Sequence, residues 1–265
     1  MTRSLTRFLC VLFIGIAQPA LAERSRQPCP PSLLLQLQHQ FGETGELRSQ
    51  ACKTLPNNAE HMVVSYIAEA SDTHPSDTSR LRHWRVVLME QQRRHILASY
   101  EEVIDEDAGR TISESTVWID TAPYMLTPTQ RAFAIRLDIE TSPSYGDGGL
   151  SDYMTLFVTE GHALKPVIHL LPTRFWYFRS PNPCLYPSIS PVTERAQSTF
   201  QLLPSQHHGY FDIHMISTAH TTANSADGSE TLLSQRRFSN TFAYNGKEYD
   251  IPGWELLPSP QWWPE

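Results

Sequence analysis

The chain has 265 residues, 40% of them hydrophobic, and carries 21 basic against 28 acidic residues for a formal charge of −7. That apolar share is enough for a packed core, and the length permits one large β domain or two small ones. The acidic balance argues against nucleic acid and anionic lipid, which bind through Lys/Arg neutralisation of phosphate, and favours a basic protein as partner.

Taken in chain order, the first element is an export signal. Arg3 and Arg7 form a basic n-region, residues 8–17 an apolar core, and Ala20-Leu21-Ala22 a small-residue cleavage signature before Glu23. This is the pattern of a secretory signal peptide. An apolar run of about ten residues falls short of the roughly twenty a membrane helix requires, and no later stretch approaches that length. Cys10 lies inside the run without small residues before it, so no lipoprotein anchor is expected. The expectation is a signal peptide over residues 1–22 and a mature chain that is periplasmic or secreted, with no membrane insertion. Cleavage removes two basic and no acidic residues, which moves the formal charge from −7 to −9.

Cys29, Cys52 and Cys184 remain after cleavage, and in an oxidising compartment one pair should bridge. Cys29 with Cys52 closes the shortest loop, of about 23 residues, which in the chain-entropy account contributes on the order of 3 kcal/mol. Cys52 with Cys184 is the alternative. Cys184 lies in Pro-Asn-Pro-Cys-Leu-Tyr-Pro with no base beside it, so its thiol reads as structural rather than nucleophilic.

Residues 33–41 predict a short helix with Leu34, Leu37 and Phe41 on one face, stopped by Gly42 and Gly45. Residues 61–68 and 84–89 read as strands separated by a polar loop at 71–79. A strand at 96–104 pairs back on 86–89 across Gln91 to Arg94, and residues 105–109 turn the chain into a strand at 111–120, making a meander. Residues 132–139 alternate, with Phe133, Ile135, Leu137 and Ile139 on one side and Arg136 and Asp138 on the other, the mark of a half-buried strand. The loop at 142–149 leads into two apolar runs over 153–168 that meet at a turn containing Gly161, a β-hairpin whose second arm ends at Pro166. Pro181, Pro183, Pro187 and Pro191 block central-strand pairing. They mark a candidate boundary between residues 23–180 and residues 181–265, two β-rich regions that can also form one domain. Strands follow at 198–203, 210–217 and 238–251, the last as a hairpin about Asn245-Gly246, with a polar loop at 220–230.

The expected fold is all-β, with antiparallel hairpins and meanders in a propeller-like or sandwich-like assembly and a short N-terminal helix. Gly209-Tyr-Phe-Asp-Ile213, followed by Thr241-Phe-Ala-Tyr-Asn-Gly-Lys-Glu-Tyr249, resembles strand pairs in secreted bacterial proteins related to FG-GAP or VCBS-type propeller blades. The resemblance covers the last quarter of the chain, with an echo at residues 155–166. The aspartate-rich calcium loop of such blades is absent, and no functional residue is carried over.

No Gly-x-Ser-x-Gly elbow, His-Glu-x-x-His pair, Walker loop or Rossmann glycine pattern is present. On a strand, His208, Asp212 and His214 share a face and offer ligands for zinc or copper, the alternative being a solvated face that also carries Tyr210 and Ile216. Glu101, Glu102, Asp105, Glu106 and Asp107 form the densest acidic run, suited to a hard cation or to docking a basic surface, the alternative being a solvated strand end and turn. Asp147 between glycines suits either a catalytic acid on a loop or a tight turn. Trp254, Trp262 and Trp263 suit sugar stacking or an interface anchor, the alternative being tail aromatics that cover a sheet edge. Together these predict a non-catalytic periplasmic binding protein of inhibitor or immunity type, without a cofactor. It would engage a cationic protein, such as a cell-wall-degrading enzyme or toxin, through the acidic run and Trp262 and Trp263. The rivals are a metal-dependent hydrolase centred on His208, Asp212 and His214, and an envelope protein that recognises peptidoglycan through its tryptophans.

Overall fold

The computed structural model describes residues 27–70, 80–107, 109–139, 141–142, 146–186, 188, 190–225 and 229–251. The expected signal peptide, the loop at 71–79 and Trp254, Trp262 and Trp263 lie outside the described residues. The chain is all-β with one short helix.

The helix, α1 (Pro31–Phe41), begins on a proline, which costs no helical hydrogen bond at that position. It stops at Gly42, whose φ of 71° is the left-handed conformation that glycine adopts without strain. Leu33, Leu34 and Leu37 pack against Met62, Val64, Tyr66, Val87 and Met89 on the outer face of the first strands. Cys29, just before the helix, is bridged to Cys52 with a Cα–Cα distance of 5.0 Å, and Cys184 is unpaired and exposed. Among the described residues no helix is long and apolar enough to cross a membrane.

Strands β1 (Leu47–Leu55), β2 (Asn58–Glu69), β3 (Arg80–Glu90) and β4 (His95–Glu106) form one antiparallel meander. A second is made by β5 (Val117–Met125), β6 (Arg131–Leu137), β7 (Gly148–Glu160) and β8 (Ala163–Phe178). Their inner faces share one core, in which Val63, Trp84, Val86 and Ala98 meet Ile119, Phe133, Ile135 and Phe157. Trp84, Tyr100 and Phe157 pack edge to face, with ring centroids 5.0–6.1 Å apart.

The two meanders join at one seam through a single parallel pair, Ser99 with Ala163, so the sheet is mixed where only antiparallel pairing was expected. At the other seam side chains replace the ladder. Ser49 Oγ accepts from Val117 N at 2.9 Å and donates to Glu114 O at 3.0 Å, and Lys53 Nζ donates to Ile119 O at 3.2 Å. The barrel-like wall is therefore not closed by backbone hydrogen bonds.

β8 runs on to pair with β9 (Val192–His207), which pairs with β10 (Tyr210–Asn224), and β11 (Glu230–Phe242) completes a sheet of 11 strands. Ile213, Met215, Phe242, Tyr244 and Tyr249 cover the outer face of β6 to β8, against Ala134, Met154, Leu156, Val167 and Ile168. That cover changes several expectations. β6 is buried on both faces rather than half-buried. The strand expected from residue 111 starts at Val117, because Ser113 and Thr116 close a turn, with Ser113 N donating to Thr116 Oγ1 at 2.9 Å. Pro166 lies inside β8, beside a register irregularity where its missing N–H is tolerated. Residues 220–224, expected as loop, continue β10. The hairpin expected over 238–251 shrinks to one bridge, Tyr244 with Tyr249, since Tyr249 N donates instead to Val167 O of β8 at 2.9 Å.

Candidate functional site

The site begins with an irregularity in β8. Between the pairs Leu156 with Ile168 and Met154 with Leu171, two steps along β7 match three along β8. Leu170 takes up the extra residue with φ 43°, a conformation costly for a leucine, and its N–H donates to Thr155 Oγ1 at 3.1 Å. Such a bulge re-aims the neighbouring side chain. His169 points across the seam to β4, where its Nε2 lies 3.0 and 2.9 Å from the two carboxylate oxygens of Glu102. Tyr100 OH donates to the same carboxylate at 2.8 Å. A line of three polar side chains thus spans the seam that the backbone joins only once.

Beside His169 opens a cavity of about 510 Å³, walled by Tyr153, Ile168, Leu170 and Leu171 and rimmed by Glu248 and Asp250. The hydrogen bond to Glu102 lifts the His169 pKa, burial opposes it, and the charges of Glu102 and Glu248 add to the lift. Burial alone would raise Glu102, but hydrogen bonds from His169 and Tyr100 outweigh it and hold the carboxyl below its ordinary value. Burial, reinforced by Glu102, pushes the Tyr100 phenol up. The arrangement is an imidazolium–carboxylate pair with a neutral phenol behind it. Among the described residues the His169 ring bonds to both oxygens of Glu102. What the site can offer is carboxylate charge at the rim of an apolar cavity.

The structure places the rest of the acidic run on alternate sides of β4 and at its end. Glu101 is exposed and pairs with Arg85 at 2.9 Å, while Arg85 also holds Glu43 at 2.7 Å and lies over the Phe41 ring at 3.8 Å. Glu106 pairs with Arg82 at 2.6 Å and accepts from Ile112 N at 2.8 Å. Asp107 pairs with Arg110 at 2.8 Å. Asp105 is exposed. The five carboxylates share a strand and its end but not one patch. Asp147 is exposed, and its carbonyl accepts from Phe178 N at 2.7 Å, which serves the turn into β7.

His208, Asp212 and His214 are not brought together. Between the pairs Phe211 with Gln206 and Ile213 with Leu202, β9 runs four steps against two on β10, around Pro204, which has no N–H for the ladder. The extra residues lie in β9, and His208 precedes β10 in the turn, so strand parity does not set it beside Asp212 and His214. Buried Asp212 instead takes Ser205 Oγ at 2.6 Å and His207 Nδ1 at 2.7 Å. His208 sits in the turn with φ 50°, and His214 Nδ1 lies 3.1 Å from Thr241 Oγ1. Among the described residues no group of three His, Cys, Asp or Glu side chains is placed to hold a metal ion.

A cluster that sequence reasoning missed lies under the cover provided by β9 and β10. Arg136, placed by its alternation on a solvated face, is 9% exposed and bonds Asp120 at 3.1 Å and Asp152 at 3.0 Å. Tyr124 OH and Ala122 N complete Asp120, at 2.9 and 3.0 Å, and the Thr173 hydroxyl accepts from Arg136 and donates to Asp152. Asp152 holds φ 56° in mid-strand, a conformation that aspartate tolerates better than most residues. The one signal in the sequence is an arginine on the polar side of β6, with Asp120 and Asp152 in the strands on either side.

No family model, curated protein or solved structure matches this chain.

Proposed function

We propose that this is a non-catalytic binding protein of inhibitor or immunity type. It is exported to the periplasm or beyond and receives a basic side chain of a cationic partner, such as a cell-wall-degrading enzyme or toxin, in the cavity beside His169. The observation that carries this reading is the pairing of an apolar wall, Ile168, Leu170 and Leu171, with two exposed rim carboxylates, Glu248 and Asp250. A lysine or arginine lays its aliphatic stem on apolar surface while its charged head stays with polar groups, and this cavity supplies both. Glu102 is already neutralised by His169, so the rim carboxylates supply the attraction. The Cys29–Cys52 disulfide suits an oxidising compartment. A formal charge of −9 on residues 23–265 would speed and orient docking on a basic surface.

The test is calorimetric titration of the mature protein against a panel of basic cell-wall hydrolases at low and high salt. Binding should weaken as salt screens the charges over about 8 Å at physiological ionic strength. Reversing the rim with Glu248→Lys and Asp250→Lys should lower affinity at least about tenfold, the scale of one lost charged hydrogen bond. An unchanged affinity in that double variant rejects the site.

A further inference from the structure

A second cavity, of about 660 Å³, lies over the face of β8, β9 and β10 remote from Glu248. Strand register sets its chemistry. Directly paired residues point to the same side of a sheet, so Arg174, Gln197 and Thr218 form one row, and Trp176, Arg195 and His220 the next. Phe178 and Thr193 follow in the same register. Trp176 packs edge to face on Phe178 with centroids 5.2 Å apart. Its indole lies over Gly149, where a Cβ would come within 2.5 Å of Nε1, so the glycine is what lets the ring lie there.

Several polar groups facing this space have donors left over. The Arg174 guanidinium is one-third exposed and approaches Asp138 and Asp152 only to 3.8 and 3.9 Å, beyond hydrogen-bond distance. Arg195 is half exposed and meets Glu230 at 3.0 Å with one of its nitrogens. Ser151 and Thr193 line the same space.

We propose that this face binds a carboxylated saccharide, a uronic-acid unit of an acidic polysaccharide. The planar guanidinium of Arg174, with Arg195 on the neighbouring strand, matches the two oxygens of a carboxylate. The apolar C–H face of a pyranose ring packs on the Trp176 indole. Its ring hydroxyls pair with Ser151, Thr193 and Gln197, which a planar aromatic anion would leave unsatisfied. A nucleic acid presents a phosphate at every nucleotide and needs a continuous basic track, whereas two guanidiniums within an acidic protein suit one or two isolated carboxylates.

The experiment is calorimetric titration of the mature protein with tri-galacturonate, with maltotriose as the neutral control and a thymidine oligonucleotide as the polyanion control. Tri-galacturonate should bind saturably, and maltotriose at least about tenfold more weakly. Arg195→Gln, at an exposed position that leaves the fold intact, should weaken tri-galacturonate at least about tenfold. Trp176→Ala should do the same, with its melting transition confirming that it folds. Glu248→Lys with Asp250→Lys should leave this binding unchanged, so failure here and failure of the partner-binding reading are separable. The proposal is overturned by absence of saturable tri-galacturonate binding, by maltotriose or the oligonucleotide binding as tightly, or by indifference to Arg195→Gln.

Discussion

Two ionic assemblies draw on β8, through Thr173 and through His169, and they differ in what remains once internal partners are satisfied. Around Arg136, two carboxylates, a phenol, a threonine hydroxyl and a backbone N–H share the available bonds, and the group is shut away beneath β9 and β10. Around His169 the imidazolium and Glu102 satisfy each other, but the pair is half exposed and the adjoining rim carries further carboxylates. The closed assembly can only hold structure, since any ligand would have to displace a bond already made. The open one leaves charge to offer. Charge density along the sequence does not distinguish the two; covering by a later strand does.

The closed assembly should be the more costly to disturb. Arg136→Met strands Asp120 and Asp152 in a buried site without their cation, and loss of one member of such a group costs about 3–5 kcal/mol. Urea unfolding should show it as a lower midpoint at unchanged slope. A loss below about 1 kcal/mol, the range of exposed pairs, would mean that the cluster is hydrated and that the contrast with the His169 site fails.

Next in size is the covalent tie between the segment before α1 and β1. Replacing Cys29 and Cys52 together by serine opens a loop with a sequence separation of 23 and should cost on the order of 3 kcal/mol. Among the described residues the Arg136 cluster and the disulfide share no hydrogen-bond partner, so combining the two changes should give a nearly additive loss. A strongly non-additive result would show that the two meanders, joined by one backbone pair and a few side-chain bonds, fold as more strongly coupled halves than their seams indicate.

Glu106→Gln comes third and separates the acidic run into its two kinds of member. Arg82 is 3% exposed and divides its guanidinium between Glu106 and Glu69. Loss of one charged bond at such a site costs about 1.5–3 kcal/mol. Asp105→Asn, at an exposed position on the same strand, should stay within about 0.5 kcal/mol. Comparable effects from the two, read from denaturant midpoints, would return the run to the status of a uniform solvated patch.

What the sequence made legible was local. The leucine spacing of α1 with Gly42 after it, the nearest cysteine pair, and the hairpins β3–β4 and β7–β8 all rest on residues close together in the chain, where periodicity and turn chemistry act directly. The parallel contact of Ser99 with Ala163 has no such signature, because a period of two says which way a side chain points and not which strand lies alongside. The buried face of β6 was illegible for the same reason, since its covering strand begins at Tyr210. The bulge at Leu170 shifts strand parity, whereas the one around Pro204 adds two residues to β9 and preserves it. The first delivers His169 to Glu102, and the turn that holds His208 at φ 50° keeps it off the strand of Asp212 and His214.

The smallest expected effect is at His169, and its pH dependence is the sharpest mark of an open pair. The folded pKa of His169 is raised above its unfolded value of about 6.5, so its stabilising contribution is complete below that value and is lost as pH rises through the raised folded pKa. The folded pKa of Glu102 is lowered, so its contribution is complete above the unfolded value of about 4.3 and is lost as pH falls through the lowered one. Both operate in full between about pH 4.3 and 6.5. Because the pair is half exposed, solvent screening limits it to about 1 kcal/mol or less, a shift of about 2–4 °C at most in a domain of this size. The melting difference between the native protein and His169→Gln should therefore peak near the middle of that window and shrink on both sides. Arg136→Met, whose guanidinium does not titrate, should show no decline on the alkaline side. A His169→Gln difference that stayed level from pH 5 to 9 would mean that the imidazolium and Glu102 do not pair, and that the rim of the cavity carries one more free carboxylate than the geometry gives it.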